Sequence, residues 1–369
     1  MLNNYNKTTK TLIIFHDLHQ YIKENVFPEI PHTLKFGWDF NQEINENVLP
    51  DSIHTIIFGW HFNQEIKENV LPKSLHSLIF NVNFNQEIKK NILPNSLHTL
   101  TFNCYFNKVI KENVLPVSLH TLTLSHHFNQ EIKENVLPVS LHTLTFHKFS
   151  VYDIEIKKNV LPKNLHTITF GKMAHYNQDI KENVLPETLH TLIFGHYFNQ
   201  EIKKNVLPDS LHTLELGGFF NQEIKENVLP TSLHTLIFSC NFNQEIKKNV
   251  LPKSLHTLDI GTIYNQEIKE NVLPDTLHTL TLSIRFNQEI KENILPKSIK
   301  KISLFSHYNL INNLPLHIEE VYIKFSLNNE QNKEISNLPF TLDKIIIPNN
   351  KYLKYITKIP FNCIVDIIY

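Results

Sequence analysis

Apolar side chains recur along this chain at fixed distances from a series of prolines: Pro28, Pro50, Pro72, Pro94, Pro116, Pro138, Pro162, Pro186, Pro208, Pro230, Pro252, Pro274 and Pro296. The step is 22 residues, except for 24 from Pro138 to Pro162 and again from Pro162 to Pro186. Counted from each proline, apolar residues stand at +3, +6 and +8, as in Leu75, Leu78 and Phe80, and again at +12, +16, +20 and +21. The alternation at +6 and +8 predicts one short strand per repeat, its large side chains on one face and the intervening +7 residue on the other. Seven apolar side chains cannot offset the ordering of 22 residues alone, so each repeat needs its neighbours to cover both of its open faces.

The L-x-x-L-x-F strand segment resembles the leucine-rich-repeat pattern. The predicted fold class is therefore a repeat solenoid: one short parallel strand per 22-residue turn on a concave sheet, irregular or short-helical returns on the convex side, and fifteen or sixteen turns in one gently curved domain. Its divisions are an amino-terminal partial repeat over 1–27 begun by Leu12 and Ile14, a regular array over 28–296, and degenerate repeats with a cap over 297–369. In that last part "LPLHIEEVYI" and "LPFTLDKIII" keep the apolar spacing and lose the other fixed residues. Asn recurs at +13 and +19, where an amide offers both donor and acceptor to adjacent turns. Gly or Asn stands at +9 in most turns (Gly37, Gly59, Asn81, Asn103, Gly171, Gly195, Gly217, Gly261), which predicts a positive φ where the strand ends. A Glu row at +15 beside a Lys row at +17 predicts a solvated convex face.

The words "FNQEIKENVLP" and "SLHTL", joined in register about a dozen times between Ile22 and Pro296, resemble the FNIP-repeat family. That family is a leucine-rich-repeat relative of social amoebae and of giant viruses that infect amoebae. The resemblance implies a scaffold that binds other proteins, with no catalytic residues to carry over. The presence of a single alanine, Ala174, fits an AT-rich genome of that kind.

Charge adds only exclusions. Lys plus Arg is 35 against 36 for Asp plus Glu, so no basic excess exists to neutralise phosphates, and nucleic acid is not an expected partner. The polar start "MLNNYNKTTK" and the short run "TLIIF" give neither a signal peptide nor a membrane span. The chain is expected to be intracellular, in the cytoplasm, with no membrane partner. Cys104, Cys240 and Cys363 read as free thiols, since Cys104 and Cys240 occupy the same position six turns apart, about 29 Å at the strand spacing.

Candidate chemistry is of two kinds. A histidine stands at +4 in twelve turns, from His32 and His54 to His256 and His278. Imidazoles at the strand spacing predict a structural ladder, with a metal- or pH-responsive stripe as the alternative. A passive structural component is a further reading. Residues that vary between turns are the second kind. Positions +10 and +11, at the strand's exit edge, hold Trp38, Trp60, His61, Tyr105, His126, His127, Tyr197, Phe219 and Arg285, the types enriched at binding hot spots. The insertions Ser150–Val151 and Ala174–His175 predict a local bump at that edge. Glycines are scattered and no H-E-x-x-H or paired-Cys motif occurs, so neither an enzyme nor a resident metal or cofactor is expected. The reading is a non-enzymatic scaffold that binds an unidentified protein along the sheet and its exit edge.

Overall fold

Strands pair residue for residue at the repeat interval: Leu78 lies beside Leu100, and Leu100 beside Leu122. The structure, a computed structural model, describes residues 5–14, 32–290, 294–305, 309–325 and 332–368. Pro28, Ile22 and most of the partial repeat expected over 1–27 lie outside the described residues.

The chain forms two compact units, residues 1–195 and 196–369. In the first, β1 (Tyr5–Asn6) folds back antiparallel on β2 (Thr11–Ile14), setting Tyr5 against Leu12. Parallel strands follow at β3 (Thr33–Phe36), β4 (Thr55–Ile57), β5 (Ser77–Phe80), β6 (Thr99–Phe102), β7 (Thr121–Leu124), β8 (Thr143–Phe146), β9 (Thr167–Thr169) and β10 (Thr191–Ile193), each paired with the one before. The second unit stacks β11 (Thr213–Glu215), β12 (Thr235–Ile237), β13 (Thr257–Asp259), β14 (Thr279–Thr281), β15 (Lys301–Phe305), β16 (Glu320–Lys324), β17 (Lys344–Ile347) and β18 (Ile364–Ile367) in the same way. This is the expected parallel β-solenoid. Among the described residues no α-helix occurs, and helical structure is confined to short 3-10 segments such as Asn309–Asn313 and Asn350–Tyr355.

Among the described residues the apolar positions of the repeat point inward in nearly every turn, with Val48 and Ile290 only half-buried. After Pro50, Ile53, Ile56, Phe58, Phe62, Ile66, Val70 and Leu71 are all buried. The degenerate repeats keep this rule, with Ile318, Val321 and Ile323 buried after Pro315 and Leu342, Ile345 and Ile347 after Pro339. Inside, Phe at +8 packs on Phe at +12 of its own turn, as in Phe80 and Phe84 with ring centres 3.8 Å apart, and each also stacks on its copy in the next turn.

Polar rungs tie the turns together. The +4 carbonyl accepts two N–H groups of the following turn, as His54 O does from His76 N at 2.8 Å and Ser77 N at 3.0 Å. The +2 hydroxyl donates to the +3 carbonyl of the turn before, as from Ser96 to Leu75 at 2.7 Å. The +13 amide does what its chemistry predicts: Asn63 Oδ1 accepts from Asn85 N and Asn85 Oδ1 from Asn107 N, both at 2.9 Å. On the face away from the sheet, +17 lysines meet +15 glutamates of the preceding turn, with Lys89–Glu65, Lys111–Glu87 and Lys247–Glu223 at 2.5–2.6 Å and both partners solvated.

Two expectations are corrected. Positive φ belongs to the +19 Asn, which is +21 in the two long turns (Asn159 and Asn183), at 58–67° in every turn from Asn47 to Asn271, and not to the +9 residue, where only Gly261 of the named set has it, at 77°. A short amide side chain tolerates this left-handed conformation better than a branched one. The other constraint at +9 is closeness: a Cβ on Gly59 would come within 1.8 Å of the Gly37 carbonyl oxygen. The insertions do not form a simple outward bump. Ser150 and Ala174 are fully buried, and His175 N–H bonds to Ser150 O at 2.9 Å, so the longer turns stack on each other and send half of the extra residues inward.

Candidate functional site: the exit edge of the sheet

Burial at both +8 and +12 forces the three residues between them outward or against the preceding turn. This local geometry is what places +10 and +11 on the surface. Backbone bonds then set the register, as from His61 N to Trp38 O at 3.0 Å and Tyr105 N to Val82 O at 2.9 Å.

The edge carries large apolar groups in solvent. Trp38 is 62% exposed, and Trp60, Tyr105, Tyr197 and Phe219 are each exposed by about two-fifths or more. In the first unit, Trp38 and Trp60 stack with ring centres 5.0 Å apart. Next to them His61 meets Asp39 at 3.9 Å and Asn83 Nδ2 at 3.0 Å. Tyr105 stacks on His127 at 5.0 Å, and His127 on the adjacent His126 at 4.4 Å. The +11 and +13 side chains from Asp39 and Asn41 to Tyr105 and His127 line an open groove of ≈ 780 Å³. In the second unit, Tyr197 meets Phe219 edge to face at 5.3 Å, and Arg285 is exposed at the equivalent position.

The structure also exposes groups that the variable-position reading passed over. Phe149 joins the edge, with the Lys148 ammonium 5.2 Å from its ring. Val117 and Val139 are 75% and 62% exposed and lie in a second groove among proline-turn residues. Their signal was in the sequence: the +1 residue is otherwise polar, as in Asp51, Lys73, Asn95 and Lys163.

The +4 histidines lie apart from this edge, where the chain enters each strand. In the first unit their rings follow one another from His32 to His190 at 5.1–5.2 Å between centres. In the second, His234 and His256 hold Nδ1 2.6 Å from the Ser232 and Ser254 carbonyls. Face-to-face stacking and a bond to local backbone fit the structural ladder.

The sequence profile described as FNIP Repeat matches residues 19–61, 62–105, 106–149, 176–219, 220–263, 242–283, 264–307 and 286–326. The chain belongs to the FNIP-repeat family. It is similar to the giant-virus protein CroV588, whose crystal structure is described as a novel circular LRR protein; identity is 44%, the TM-score 0.77, and the match covers 93% of this FNIP chain and 50% of CroV588. The chain thus spans half the length of that relative. Weaker likeness extends to an internalin, InlF, of Listeria monocytogenes, at 13% identity and TM-score 0.47 over 81% of this chain and 83% of that one. The TLR13–ssRNA13 complex gives 14% identity and TM-score 0.47 over 81% and 54%. No curated protein matches. With CroV588 as the relative in hand, the repeats of this chain are leucine-rich-repeat-like, and among the described residues no helix is long and apolar enough to cross a membrane.

Proposed function

We propose that this FNIP protein is a non-enzymatic intracellular scaffold that binds a partner protein through the exit edge and the adjoining sheet face. One observation supports the reading above the others: Trp38 and Trp60 are stacked, solvent-exposed and held on backbone that packs tightly beneath them. Aromatic anchors on rigid scaffold are the groups that carry most of the energy in protein interfaces, because they lose little side-chain freedom on binding. The half-exposed +7 row, with Ile57, Ile79 and Thr101 in neighbouring turns, extends that surface across the sheet. Chemical catalysis needs a constellation of unlike groups at one place, and the repeat multiplies the same groups evenly.

The test is capture of partners with immobilised full-length protein, comparing wild type with Trp38→Ala/Trp60→Ala and with Val117→Asp/Val139→Asp. The edge reading expects the tryptophan pair to lower recovery of the main partner at least tenfold while the valine pair leaves it within twofold. Equal recovery by the tryptophan variant would move the interface off this edge.

A further inference from the structure

Cys104 and the neighbouring His126 and His127 come from consecutive turns of the first unit, and nothing in the repeat pattern requires them. Their ligand atoms all lie within 4.8 Å of one another, with Cys104 Sγ 3.9 Å from His126 Nδ1. Among the described residues no other set of three Cys, His, Asp or Glu converges in this way. From this geometry we infer a metal site for a zinc-class divalent ion, with Cys104 Sγ and one nitrogen from each of His126 and His127 as its protein ligands.

The backbone fixes the arrangement before any ion arrives. His126 N–H bonds to Asn103 O at 3.0 Å and His127 N–H to Cys104 O at 2.9 Å, so the two turns are locked in register beneath the side chains. Aromatic neighbours restrain the rings: Tyr105 stacks on His127, and His147 lies face to face with His126 at 5.9 Å. All three ligands are half-buried, which leaves one side of the cluster open. With Zn–S of about 2.3 Å and Zn–N of about 2.0–2.1 Å, tetrahedral ligand atoms sit roughly 3.3–3.6 Å apart. Binding an ion in that geometry requires the three side chains to draw together from the observed separations. One thiolate and two imidazoles form a donor set suited to zinc, and the open fourth position suits water or an exchangeable ligand.

Binding breaks the S–H bond of Cys104, forms a sulfur–metal bond and releases the proton to solvent, with no change of oxidation state. Its counterpart six turns on, Cys240, stands between Gly218 and Thr262 at the same position of the flanking turns, and neither of these offers an imidazole.

The experiment uses the untagged, reduced full-length chain and the metals Co²⁺ and Zn²⁺ alone. One equivalent of Co²⁺ should give a sulfur-to-cobalt charge-transfer band that one equivalent of Zn²⁺ abolishes. Cys104→Ser should remove the band and weaken zinc binding by at least the roughly 10–100-fold that follows loss of even an outer-shell partner. The double variant Cys240→Ser/Cys363→Ser should keep the band and the affinity. A near-isosteric serine keeps the fold, which circular dichroism checks; should a histidine variant fail to fold, the serine comparison still decides. Absence of a thiolate band at one equivalent, or a band and affinity unchanged in Cys104→Ser, would overturn the site. Partner capture by the edge is a separate readout, so failure here leaves the scaffold reading standing.

Discussion

At the scale of single residues, the repeat assigns each position one physical task, and departures mark where a task changed. The +19 Asn turns the chain in the left-handed region, the +13 Asn bridges turns, and the +7 residue faces out from the sheet. Asp259 occupies a +7 site beside Ile237 and Thr281, half-buried, with Oδ1 accepting from Gly261 N–H at 2.8 Å. Burial raises its pKa, against opposing contributions from that hydrogen bond and from Lys324. A carboxyl whose folded pKa is raised contributes stability below its unfolded pKa, and that contribution is lost as pH rises through the folded value. Asp259→Asn keeps an acceptor for Gly261 and removes the charge. The variant should therefore be more stable than wild type at pH 7–8, with the gap closing as pH falls towards the ordinary aspartate range. Denaturant midpoints measured across pH check this, and a gap independent of pH would contradict it. The burial of +3, +6 and +8 was legible because apolar spacing reports directly which face is inside. Backbone conformation was less so: both Gly and Asn suit positive φ, and only three-dimensional closeness separates the crowded Gly59 from the left-handed Asn69.

At the scale of the element, a turn is held by rungs of unequal worth. Asn243 Oδ1 accepts from the half-buried Asn265 N–H at 2.8 Å, whereas Lys247 reaches Glu223 at 2.6 Å with both side chains largely in water. Leaving a shielded backbone donor unpaired costs about 1–3 kcal/mol. Severing an exposed ion pair costs under about 1 kcal/mol. Asn243→Ala should thus lower the unfolding midpoint clearly more than Lys247→Ala; the reverse order would mean that the charged face holds the turns together. The exit edge was partly legible at this scale. Trp38, Trp60 and Tyr105 could be placed because +10 and +11 fall between two buried positions. Cys104 and His126 are one 22-residue step apart, so their meeting was implicit in the spacing. Considering the cysteines only as possible partners for one another misses it. The inward packing of Ser150 and Ala174 was not legible, since two adjacent long turns can support each other in ways that neither shows alone.

At the scale of the molecule, each unit is a core made by repetition, and its surface varies only where the core leaves residues free. Such a body suits binding, because a rigid row of anchors can be altered one turn at a time without disturbing the register below. The central claim is that stability is shared between neighbouring turns and is not the property of any one of them. Leu100 tests it: the side chain is fully buried, and its strand β6 lies between β5 and β7. Leu100→Ala removes about 2–5 kcal/mol of packing. Hydrogen exchange read by mass spectrometry should then show protection lost in all three strands together. Loss confined to the turn that carries Leu100, with β5 and β7 as protected as in wild type, would contradict the account.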